Sequence, residues 1–133
     1  MKELFEAIYN YWSSEGKFGL TELYLVEAPA LSTEDGDGGS VFPYATYSTS
    51  IIPDWTFTEE QEDCLIMFAL FSDTVSHIEI CTIATTLKAS FDFHDLVIDD
   101  YETISLERGN ANLIRVEKIW QYSINYSLLV EKT

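Results

Sequence analysis

Residues 120–131 read WQYSINYSLLVE, and this stretch decides the fold. Trp120, Tyr122, Ile124, Tyr126, Leu128 and Val130 alternate with Gln121, Ser123, Asn125, Ser127, Leu129 and Glu131. Successive side chains of an extended backbone point to opposite faces, so a period of two predicts a half-buried β-strand with the even-numbered residues inward. A slip of one position would turn six large apolar groups to water, which pins the register. Just upstream, residues 103–106 and 113–116 read as two short strands paired through Arg108-Gly109-Asn110, a turn of hairpin length.

Further upstream lie eight consecutive apolar residues, CLIMFALF at 64–71, the strongest strand signal in the chain. A strand with one wet face should alternate, and this one does not. Both of its faces are therefore expected to be covered, by a loop of the same chain or by a neighbouring subunit. Pro43 opens another extended segment at 44–52, rich in Tyr, Thr and Ile, and residues 23–26 form a short strand. Leu4, Phe5, Ile8, Tyr9 and Trp12 share one face of a helix that Gly16 stops. Ser72, Asp73 and Thr74 offer N-caps to a second helix over 75–91, with Val75, Ile78, Cys81, Ala84 and Leu87 as its inward stripe. The sequence thus predicts one α+β domain over residues 1–133, an antiparallel β-sheet with two α-helices packed on one face. Residues 31–41, LSTEDGDGGSV, read as a flexible acidic loop within it, one that orders only against a neighbour.

Charge narrows the function classes. Twenty-three acidic side chains against seven basic ones give a net charge of −16, and no Lys or Arg occurs between Phe18 and Leu87. A surface of that sign repels nucleic-acid phosphates and anionic lipid. The longest apolar run is far too short to span a bilayer, and Glu3 and Glu6 interrupt what a signal peptide would need, so no membrane role is expected. Cys64 and Cys81 form no C-x-x-C pair and sit in apolar segments, where thiols act as small hydrophobes.

Catalytic signatures are lacking: no phosphate-binding glycine loop, nucleophile elbow or H-E-x-x-H motif occurs. His94 lies among Asp92, Asp95, Asp99 and Asp100, but the spacing fits no ligand pattern. The run Glu34-Asp35-Gly36-Asp37-Gly38-Gly39 fails as a calcium loop, because Gly39 falls on the fifth position and no Glu on the twelfth. No enzyme activity, cofactor or metal is expected. What stands out are Trp55 and Phe57 in an otherwise polar connection; with Asp35 and Asp37 of the acidic loop they are the candidate subunit or partner interface.

The order of segments is informative. An amphipathic helix at 4–12 precedes a short strand ending near Glu27-Ala28-Pro29; Phe42-Pro43-Tyr44 opens a strand, Pro53-Asp54-Trp55 connects it, and an apolar strand ends at Phe71-Ser72. A helix through Leu87 and the alternating C-terminal strand complete the series. Over residues 3–131 this resembles the tail-completion or tail-terminator proteins of long-tailed bacteriophages. The resemblance implies a homo-oligomeric, hexameric ring made in the host cytoplasm and located in the virion, at the head-proximal end of the tail. It also implies partners: the tail tube protein that the ring caps, and the head-completion or connector protein that it joins, with genomic DNA passing through the lumen without specific binding. A wall that repels phosphate suits that passage. Two other classes fit the sequence: an acidic DNA-mimic inhibitor of a host nucleic-acid-binding protein, with carboxylates in rows at phosphate-like spacing, and a small hydrolase or metal-dependent enzyme using the Asp92 to Asp100 cluster.

Overall fold

A computed structural model of the chain describes residues 2–14, 18–19, 21–25, 42–52, 61–92, 94 and 96–132. These form two helices and one five-stranded sheet: α1 (Lys2–Ser13), β1 (Glu22–Leu25), β2 (Tyr44–Ile52), β3 (Gln61–Ser72), α2 (Ile78–Phe91), β4 (Tyr101–Val116) and β5 (Ile119–Lys132). The strand order is β1-β2-β3-β5-β4. The pairs β2–β3, β3–β5 and β5–β4 are antiparallel, while β1 lies parallel to β2, so the sheet is mixed at that edge. The α+β class is as expected.

Register explains the core. Tyr47 pairs with Phe68 and Phe68 with Ile124, while Ile66 pairs with Tyr126, which sets these side chains on one face of the sheet. Ile124, Tyr126, Leu128 and Val130 are buried there, as the alternation at 120–131 requires, and Trp120 and Tyr122 pack against them half-buried. Both helices cover this face. On α1, Leu4, Ala7, Ile8 and Trp12 are buried, and Trp12 stacks 6.2 Å from Phe68. On α2, Phe91 meets Phe68 at 5.0 Å and Tyr126 at 6.1 Å, while Tyr11 of α1 reaches Phe91 edge-on at 4.9 Å. The Tyr47 hydroxyl donates to the carbonyl of Phe5, tying α1 to β2.

Two sequence expectations are corrected and a third is narrowed. Arg108-Gly109-Asn110 is not a hairpin turn: β4 runs unbroken from Tyr101 to Val116, and the ladder to β5 shifts register between Arg108 and Ala111, as it does between Thr103 and Ser105. A bulge absorbs the extra residues, and the chain reverses at Glu117-Lys118. The second helix starts at Ile78 with His77 as N-cap, and its buried stripe is Ile80, Ala84, Leu87 and Phe91. Val75 and Ile78, placed inward by a spacing of three, are 87% and 68% exposed. Finally, within the single chain β3 is fully buried on one face only, which leaves a neighbouring subunit as the expected cover of the other. Cys64, Ile66, Phe68 and Leu70 are buried, whereas Leu65, Ala69 and Phe71 are half-buried and Met67 is 38% exposed.

Candidate interaction surfaces

The interface candidates Trp55, Phe57, Asp35 and Asp37 lie outside the described residues, as does the acidic loop 31–41. The described residues bring together two other surfaces.

One is the sheet face turned away from the helices. In register it carries Tyr44, Thr46, Ser48 and Ser50 from β2, Leu65, Met67, Ala69 and Phe71 from β3, and Gln121, Ser123, Asn125 and Ser127 from β5. None of these twelve is charged. In a chain that is 23% charged, about three of twelve would be expected to be, and more on a solvent face. Depletion of charge marks the core of a protein–protein contact. At the β1 corner the face turns aromatic: Tyr44 stacks on Phe71 at 4.9 Å, with Phe42 5.2 Å and Tyr24 6.2 Å from the Tyr44 ring. Burial raises the Tyr44 phenol above its usual pKa, so this hydroxyl stays neutral. The unbroken apolar run at 64–71 points to this face as a contact patch, but its lack of charge emerges only once the register aligns three strands.

The other surface is the far half of the β4–β5 hairpin. Most of β4 from Glu107 to Val116 is exposed, including Ile114 at 40% and Val116 at 58%. Arg108, Arg115 and Lys118 place three of the chain's seven bases here. The hairpin is braced at its root. Tyr126 Oη donates to Asp92 Oδ1 at 2.8 Å, and Arg108 Nη1 lies 3.6 Å from Asp92 Oδ2, so the residue capping the end of α2 grips both strands. Burial raises the Tyr126 phenol well above its ordinary pKa, helped by the hydrogen bond to Asp92 and that carboxylate's charge and opposed by Arg108. Lys88 Nζ donates to the Tyr122 hydroxyl at 2.7 Å and sits over its ring. The Arg115 guanidinium lies 4.9 Å over the Trp120 ring.

Among the described residues, those of the Asp92 to Asp100 cluster do not converge. Asp92 faces Tyr126 and Arg108, while the His94 ring stacks on Tyr11 at 3.8 Å. Among the described residues no group of three or more His, Cys, Asp and Glu is placed to hold a metal ion.

No protein-family model matches the sequence, and neither does any curated protein. A chain of a solved structure described as the virion of a native gene transfer agent particle matches in fold with a TM-score of 0.77 at 14% identity, over 98% of this chain and 96% of that one. The likeness is therefore one of complete fold, from end to end.

Proposed function

We propose that the chain is a structural subunit of a phage-like virion: a tail terminator that forms a ring of six, caps the tail tube, stops its polymerisation and presents the surface to which the head joins. The observation that carries this is the end-to-end fold likeness to a chain of a virion particle. It agrees with the resemblance carried by segment order. The uncharged outer face gives independent support, since a subunit of a closed ring must give up part of its surface to each neighbour. Trp55, Phe57, Asp35 and Asp37 belong to this proposal as further contact residues.

The acidic-mimic reading has less support. It requires carboxylates in rows, whereas the twelve central positions of the outer face carry none, Glu22, Asp63 and Glu107 standing only at its rim, and the far end of the hairpin holds three bases. The proposed role is structural, with no catalytic step and no cofactor. The test is genetic. Particles made without the protein should carry tails of uncontrolled length, or heads and tails that fail to join. Trp55→Asp or Phe57→Asp should give a folded chain that does not assemble, because a charge would be desolvated at the contact. Normal particles lacking the protein would overturn the proposal.

A further inference from the structure

We infer that the far half of the β4–β5 hairpin, residues 107–120, is an arm that docks on the β1 side of a second copy of this chain, against the aromatic corner of the outer face beside Glu22. The inference rests on the ring reading and deepens it by naming the two patches that meet.

Charge selects the occupant. From 107 to 120 the arm holds Arg108, Arg115 and Lys118 against Glu107 and Glu117, a net charge of +1 in a protein of net charge −16. The stretch that supplies β1, β2 and β3 contains no base at all. The two signs therefore sit on separate parts of one chain, and a second copy offers each part its complement.

Topology makes the contact head-to-tail. β1 and β4 are the two edges of the sheet. A contact between different edges is heterologous, and a heterologous contact closes a ring when its rotation allows. β4 is also a long edge strand with no proline, the kind of edge that pairs with another chain unless it is covered.

Both sides are built for contact. On the arm, Ile114 and Val116 put apolar surface in water on one face of β4, with Arg115 on its other face and Lys118 in the turn, and the grip of Asp92 and Lys88 on the hairpin root reduces the entropy lost on docking. On the receiving side, Glu22 is exposed and pairs in register with Tyr44, whose ring stacks on Phe71. Aromatic rings in this setting anchor partners and accept guanidinium groups.

Charge reversal on the purified full chain tests this by analytical ultracentrifugation. Arg115→Glu with Lys118→Glu should weaken self-association about tenfold or more, with the circular dichroism spectrum unchanged and the urea midpoint lowered only by the small loss of the Arg115–Trp120 contact, since both positions are exposed. Adding Glu22→Lys to that same chain should recover a large part of the loss. If the reversed chain assembles as the wild type does, or loses only affinity for duplex DNA, the arm inference falls while the ring reading stands. If the wild type stays monomeric at every concentration, alone and on assembled tail tube, the ring reading falls and takes the arm's partner with it.

Discussion

Asp92 shows how one side chain can hold three elements together. It ends α2, accepts from the Tyr126 hydroxyl of β5 and faces Arg108 of β4. Tyr126→Phe removes one charge-assisted hydrogen bond and should cost about 1–2 kcal/mol in urea unfolding at neutral pH. A pH effect follows from the same bond. Burial and Asp92 keep the folded phenol neutral, whereas an unfolded tyrosine ionises near 10.0. Above that pH the unfolded chain releases a proton that the folded chain keeps, so the stabilisation is present below pH ~10 and lost as the pH rises further. Tyr44 and Tyr47, both raised chiefly by burial, act in the same direction. The urea midpoint should fall between about pH 9 and 11, less steeply in Tyr126→Phe than in the wild type. Equal slopes would contradict this account. At the hairpin tip, Glu117 adopts φ 57, a conformation that favours glycine. Glu117→Gly should therefore raise stability by about 0.5–1 kcal/mol in the same assay.

At the scale of elements, the strands were legible and one helix face was not. Residues 120–131 place large apolar groups at every second position, and a strand has only two faces, so orientation followed directly. Over residues 75–91 nearly every turn offers apolar choices: Val75, Ile78, Ile80, Cys81, Ile83, Ala84, Leu87 and Phe91. A spacing of three chose one stripe, whereas packing on Phe68 and Tyr126 chose Ile80, Ala84, Leu87 and Phe91. The difference is measurable. Ile80→Ala should cost about 2–5 kcal/mol as a core truncation, and Ile78→Ala within about 0.5 kcal/mol of nothing. Reversed magnitudes would rotate the helix back to the sequence-based stripe. The hairpin was misplaced for a related reason. Arg108-Gly109-Asn110 carries turn chemistry, but turn residues also occur in bulges, and only the ladder to β5 distinguishes the two.

For the whole molecule, the charge was legible from composition and its placement was not. That bases are scarce was plain from the sequence; that three of seven share one exposed hairpin opposite a base-free edge required the strand order. The neutral outer face is hidden in the same way. Its twelve residues come from three separate segments; the unbroken apolar run at 64–71 marks one of them, but the lack of charge across all three appears only in register. A ring subunit needs two unlike contact patches, and the neutral face with its aromatic corner and the basic hairpin supply two. The most direct measurement is electron cryomicroscopy of tails assembled with this chain. The account predicts a six-fold ring of this protein at the end of the tail tube where the head joins, its basic hairpins lying against the neighbouring subunits. Density for this chain along the shaft or at the opposite end of the tail, or tails that end normally without it, would contradict the account.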